Sequence, residues 1–418
     1  MGHSSTPSHL RSYLATALFV LLGCGSGLGL LGKVGLMHVA FPVPTSLLSL
    51  LIFLLICTPL LWRVALRYKR LTSILFAVGI VVASMVVFPR IAALHSIGRG
   101  SDQSDCIVVA SQRLVAFRWP YDTSLMWTHN AMSCGAGWVI LQAPLVAISG
   151  YAVSQMLLCF LAFFAIWKVA GRSFTLSLAS LVALCPGIWL CAVDGSDFLI
   201  FGFALAAILV TVDRMHSIEL DPAHRRAPHV LPLILIAALV YQFRPPFVIM
   251  PGLLRKGIGA ARSGLIGLIA IAMQTAFFIW NPTAYIESGP MHLIKKTFGH
   301  TDIAGRPNVL IPVVVGCLLC ELAISFWIGR FLGPLVASFC VLLILLGVPA
   351  GVDLFRKLHE HATLTQALGS WEGGPWLAAC VPTAALLVLS SIKSRPRSQP
   401  VEDEPIRMFQ EEEYVLHS

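Results

Sequence analysis

The sequence predicts an all-α, polytopic membrane protein of about ten crossings plus one re-entrant pair. Three observations carry this. The chain is 57% hydrophobic and 12% charged, whereas soluble domains carry about 25% charged residues. Mean hydropathy is +0.82, and the apolar residues gather in runs near the length of about 20 residues that crosses a bilayer. Lys and Arg concentrate in short connections between those runs, the pattern of loops kept in the cytoplasm. The net charge of +9 is thereby assigned to topology, and no nucleic-acid partner is expected. No stretch reads as a soluble domain.

The first run, 12–32, follows Arg11 and lacks a small-residue cleavage site, so it reads as an uncleaved span. Gly27, Gly29 and Gly32 match GxGxxG, but no strand precedes them and close helix packing is the reading. A second span, 43–62, is joined to a third, 72–93, through Arg63, Arg67, Lys69 and Arg70, which places that connection inside. Residues 1–71 therefore form a hairpin ahead of a core at 72–392, and both termini are expected to be cytoplasmic. The loop 94–134 then lies outside. In it, Ser101, Asp102 or Ser104 caps a short helix with Ile107, Val108, Leu114 and Val115 on one face. Trp119-Pro120-Tyr121-Asp122 ends it in a turn. Cys106 and Cys134 share this outer side, where an oxidising compartment permits a disulfide.

Residues 135–150 read as shallow or re-entrant, followed by a full span at 151–170 that ends near Lys168 and Arg172. Two further spans, 174–193 and 196–213, meet outside at Asp194–Asp197. The segment 228–254 is interrupted by Gln242-Phe243-Arg244-Pro245-Pro246, and neither half crosses alone. A re-entrant pair with Arg244 near its apex is expected, since broken backbone is tolerated where it lines a cavity. An intramembrane Arg is a functional candidate because burying its charge is costly. Span 264–281 leads to an outer loop, 282–307, holding His292, Lys295, Lys296, His300 and Arg306. Spans 308–329 and 333–351 turn inside at Arg330, and a third outer loop, 352–375, precedes the last span, 377–392. The tail 393–418, acidic from Val401, is predicted to be cytoplasmic and disordered. Cys317 and Cys320 form a CxxC inside a span and read as packing; His359 and His361 lack the further ligands a metal needs.

The three outer loops and the Asp194–Asp197 turn bring carboxylates, Lys, Arg and His to one face. A carboxylate base beside cations that neutralise a phosphate leaving group is what sugar transfer from a lipid phosphate requires.

The residue order carries a resemblance as well. An outer acid, a short amphipathic helix, Pro120-Tyr121 and then Gly135-x-Gly-Trp-x-x-Leu-x-x-Pro-Leu145 resemble the first outer loop of GT-C fold glycosyltransferases. The chain is most similar to the family 87 group of polyprenyl-phosphate-dependent, mannosyltransferase-like enzymes, over about 90–255. Arg244-Pro245-Pro246 is similar to a basic-x-Pro break in that group. In the family the acid follows the first span; here it follows the third. The resemblance implies a GT-C-like bundle that passes a mannose-like hexose or pentose from a polyprenyl-phosphate donor to a lipid or glycan acceptor. It implies Asp105, or else Asp102, as catalytic base. Independently of it, the cations of the broken span and the second outer loop, Arg244, Lys295, Lys296 and His300, are read as meeting the donor phosphate. Tyr121, Asp122, His129, Asp194 and Asp197 would line the acceptor cleft. No cofactor or metal site is assigned, and a divalent ion is left open. A bacterial inner or plasma membrane is the expected location.

Each residue has a plainer reading. Asp105 in a first helical turn complements the helix dipole, and Arg244 satisfies backbone at a bend. Lys295, Lys296 and His300 touch lipid headgroups. Asp194 and Asp197 cap the following span. Trp119, Trp127, Trp371 and Trp376 anchor the bilayer interface. The rival functional class is a transporter or lipid flippase, which a broken span also serves; a non-catalytic membrane partner is a third.

Overall fold

The computed structural model describes residues 8–32, 61–97, 102–219, 230–292, 307–361 and 363–393. Among them every regular element is helical. The expected span 43–62, Lys295, Lys296, His300 and the tail beyond 393 lie outside the described residues.

Helix α1 is Ser8–Gly32, and a short α2, Leu61–Arg67, leads to α3, Lys69–His95. The helix of the loop expected outside is α4, Gln103–Val115. Next, α5 covers Ala136–Ala170 but leaves helical geometry at Gly150, where φ is 77°. The shallow arm expected at 135–150 is thus the stretch before this kink. Six described helices are long and apolar enough to cross a membrane, or seven if one bent pair is a single span. The chain is therefore a helical, multi-pass membrane protein.

That count differs from the ten expected, and the breaks explain part of the difference. The run 174–193 is two helices, α6 (Arg172–Ala183) and α7 (Pro186–Asp194), bent by 82°. Pro186 has no N–H to continue the ladder. The Trp189 indole donates instead to the Ala183 carbonyl at 2.9 Å, satisfying an acceptor at the end of α6. Helix α8, Phe198–Glu219, follows the tight turn at Gly195, whose φ of 67° suits a residue without Cβ.

Helix α9, Val230–Val240, stops at the expected interruption. Arg244 is extended (φ −143°, ψ 154°), as a residue before proline must be. Pro245–Leu254 then forms a 3-10 segment in which Pro245, Pro246 and Pro251 supply no amide donors. It packs between α10 (Ala260–Trp280) and, after the short α11 (Pro282–Glu287), α12 (Pro307–Phe331).

The loop expected at 352–375 is largely helical. The helix α13 runs from Pro334 to Glu360 through a π-helical turn at Leu343–Gly347, with Arg356 2.7 Å from Asp353 and Lys357 3.6 Å from Glu360. Charge made this stretch look like a loop, but pairs at i,i+3 suit a helix that leaves the membrane. Only His361 to Glu372 departs from it, through α14 (Leu364–Ser370). The last helix, α15 (Gly373–Lys393), and α8 are the most enclosed of the described spans, each with 72% of its apolar stretch buried. Helix α1 packs along α15 and against α7 and α14. The first arm of the expected N-terminal hairpin is therefore part of the core.

Candidate functional site

A chamber of about 810 Å³ lies at the N-terminal ends of α8 and α15. Its wall takes Asp102, Trp127 and Asn130 from the first loop expected outside, Asp194 from the end of α7, and Arg244 from the break after α9. His292 comes from the second loop, and Trp371 and Glu372 from the third. Leu190, Phe198, Phe247, Leu345 and Leu346 add apolar surface. All the outer segments expected on one face thus converge on one cavity, by their described residues.

The most enclosed polar group is built around Asp197, which is fully buried. Arg244 donates to both carboxylate oxygens, from Nη1 and Nη2, each at 3.0 Å. The Trp138 indole donates to Oδ2 at 2.9 Å. Arg244 Nη1 also donates to the Phe243 carbonyl at 2.8 Å, and its guanidinium lies 4.1 Å from the Phe243 ring centre. A forked, stacked arginine of this kind has one orientation. Asp197 therefore holds Arg244 in place and does not itself line the chamber.

The Gly135-x-Gly-Trp motif has a geometric cause. A Cβ at Gly135 would stand 1.9 Å from the Gln242 carbonyl oxygen, and one at Gly137 would stand 2.4 Å from Gln242 Nε2. The two glycines let the start of α5 lie directly on the broken backbone. Gly137 N–H donates to Gln242 Oε1 at 3.0 Å, and Gly135 N–H to the Phe243 carbonyl at 3.3 Å. Trp138 is then delivered to Asp197.

The two candidate bases occupy different places. Asp102 lines the chamber, and its Oδ2 accepts from Thr128 Oγ1 and Asn130 Nδ2, each at 2.8 Å. It stands at the head of α4, but its side chain does not cap the helix. Asp105 lies in the first turn behind the wall, 3.6 Å from His95 Nδ1. Burial raises its pKa above the usual carboxylate value; His95 opposes the rise and the neighbouring Asp102 adds to it. His95 in turn stacks on Trp127, with ring centres 5.0 Å apart. Sequence reasoning missed His95 because it ends an apolar run. Cys106 and Cys134 are joined as a disulfide, with Cα atoms 6.5 Å apart.

Other expected site residues stand elsewhere. Tyr121 is buried, edge-on to Trp119 and Tyr285, and does not line the chamber. Its proline-tyrosine turn tucks the ring under the loop, where aromatic burial outweighs exposure of the hydroxyl. Asp122 pairs with Arg113 at 3.2 Å and accepts from Ser124 Oγ at 2.6 Å. The Ser124 hydrogen bond is the main cause of its lowered pKa. His129 holds a positive φ of 54° and contacts the Thr123 carbonyl at 3.2 Å. These two shape the loop rather than the cavity. Trp371 is no interface anchor: it is buried, its indole donating to the Ala350 carbonyl at 2.9 Å. Among the described residues no three His, Cys, Asp or Glu are grouped to hold a metal ion.

Comparison of the chain with family models, with curated proteins and with solved structures returns no match. Fold and cavity therefore define the class on their own: a helical membrane protein with a chamber walled by acid, arginine and aromatic groups.

Proposed function

We propose that this chain is an integral-membrane glycosyltransferase of the GT-C type. It takes a mannose-like hexose or pentose from a polyprenyl-phosphate donor and passes it to a hydroxyl of a lipid or glycan acceptor on the outer face of a bacterial inner or plasma membrane. The observation that supports this most is the convergence of Asp102 and Arg244 on one chamber with apolar walls. A base, a phosphate-facing guanidinium and room for a lipid chain meet there.

Asp102 acts as the general base, since it is the cavity-lining member of the two acids. The acceptor oxygen bonds to the anomeric carbon as the carbon–oxygen bond to phosphate breaks. The hydroxyl proton passes to Asp102, and the bonding pair leaves with the phosphate. One such displacement inverts the anomeric centre. Arg244 is already charge-balanced by Asp197, so it offers directed N–H donors more than net charge. The charge of the leaving phosphate is then met by Lys295, Lys296 and His300 from the second outer loop.

The test is sugar transfer by the purified protein from a panel of labelled polyprenyl-phosphate sugars, with Asp102→Asn and Asp105→Asn beside it. Asp102→Asn is expected to lower transfer by about 10²–10⁴-fold. Equal transfer by wild type and Asp102→Asn would remove the assignment of the base. The 82° bend between α6 and α7 and the break at Arg244 also suit a transporter or flippase. Sugar-lipid movement across proteoliposomes without product would favour that reading.

A further inference from the structure

We infer that the Cys106–Cys134 disulfide is the covalent link holding the acid wall of the chamber to its arginine wall, and that this face therefore lies in an oxidising compartment. The inference rests on the geometry of the chamber and stands apart from the transferase reading.

On one side of the bridge is the acid. Cys106 N–H donates to the Asp102 carbonyl at 3.4 Å, so the sulfur sits one helical turn from Asp102, and Cys106 itself lines the chamber. On the other side is the arginine. Cys134 directly precedes Gly135 and Gly137, whose N–H groups are bound to Phe243 and Gln242, and Trp138, which is bound to Asp197. The path from Asp102 to Arg244 thus runs through one turn of helix, one S–S bond and a stretch of backbone docked on the break. Asp102 also accepts from Thr128 and Asn130, and both belong to its own loop.

Two physical points make the link matter. Helix α4 has 13 residues, a length at which an isolated helix is marginal, and it is fastened to α5 by its buried Ile107 and Ala110 together with the bridge. The bridged sulfurs are buried, with Cys134 fully enclosed and its N–H donating to Cys106 Sγ at 3.3 Å. The described cysteines within the spans, such as Cys159, Cys191 and Cys380, are free, while the pair on the acid-bearing loop is bridged. Such pairs persist where the surroundings are oxidising.

Hydrogen exchange on the full-length protein in lipid nanodiscs tests the link. It is read for the oxidised protein, for protein reduced with a phosphine, and for a Cys106→Ser/Cys134→Ser double variant. The phosphine turns the disulfide into two thiols and is itself oxidised to the phosphine oxide with oxygen from water. Peptides from Gln103–Val115 are expected to exchange at least tenfold faster in the reduced and double-variant proteins, with α8 and α15 unchanged. Equal exchange in α4 would overturn the link; so would lost protection throughout, which would mark a bridge serving the whole fold. For the compartment, Leu125→Cys adds a thiol at an exposed position of the same loop. A membrane-impermeant maleimide is expected to label it in intact cells. Labelling only after permeabilisation would overturn the placement. Neither readout uses sugar transfer, so failure of the transferase assay leaves both standing.

Discussion

Arg244 and Asp197, 47 residues apart in the chain, meet through two parallel 3.0 Å hydrogen bonds inside the protein. Neither charge is tolerable there alone. An ion pair away from water offsets its desolvation only when the geometry satisfies both partners, and here Trp138 and the Phe243 carbonyl complete the set. Asp197→Asn or Arg244→Gln alone is expected to cost about 3–5 kcal/mol of stability, because each strands the partner. The double variant Asp197→Asn/Arg244→Gln should recover much of that loss. Thermal unfolding of the three variants in detergent checks this, and additive losses would contradict it.

Trp138→Phe keeps the ring but removes the third donor to Asp197. The expected loss is about 1–3 kcal/mol, the cost of a buried acceptor left short of one hydrogen bond. Thermal unfolding again measures it. Trp138→Phe in an Asp197→Asn background should cost less, as the two then no longer act on one charge.

The close approach of α5 to the break predicts a graded pair of alanine variants. At Gly135 the new methyl meets backbone oxygen at 1.9 Å, so α5 must move; a loss above about 3 kcal/mol is expected. At Gly137 it meets the Gln242 side chain, which can turn away, and about 1–3 kcal/mol is expected. Gln242→Ala should rescue Gly137→Ala in part and leave Gly135→Ala unaffected. Expression level and unfolding temperature report both.

Asp105 sets a pH dependence with a defined sign. Burial raises its pKa in the folded protein above the ordinary 3.8, so the folded state binds the proton more tightly than the unfolded chain does. Its contribution therefore favours folding most at low pH and is lost as pH rises through the folded-state value. Asp105→Asn removes the penalty. The variant should be more stable than wild type at neutral pH, with the advantage vanishing as the pH falls below about 3.8. Chemical unfolding across that range measures the difference, and an unchanged gap would contradict the assignment.

How much of this was legible depends on range along the chain. The break at Gln242–Pro246 was visible because proline acts on its own neighbours. Pro186 carries the same signal inside an apolar run, and there the expected span is bent by 82° between α6 and α7. The helical stretch 352–360 was hidden by its charges, whose i,i+3 spacing was the available clue. Gly135-x-Gly-Trp was recognisable as a motif, but its reason was not, since the Gln242 that demands the glycines lies 105 residues beyond Gly137.

By itself the sequence determined the environment and the breaks: apolar runs that need a bilayer, basic connections, acid-bearing loops, and a proline-bounded interruption at Arg244. These follow from local composition, because burial in lipid and loss of an amide donor are decided residue by residue. Only the tertiary structure decided which acid faces the chamber, that Asp197 neutralises Arg244, and that Tyr121, Asp122 and His129 serve the loop. Those roles turn on which residues distant in sequence are packed against each other, and desolvated charges and donors find partners by position in space, which hydrophobic periodicity does not encode.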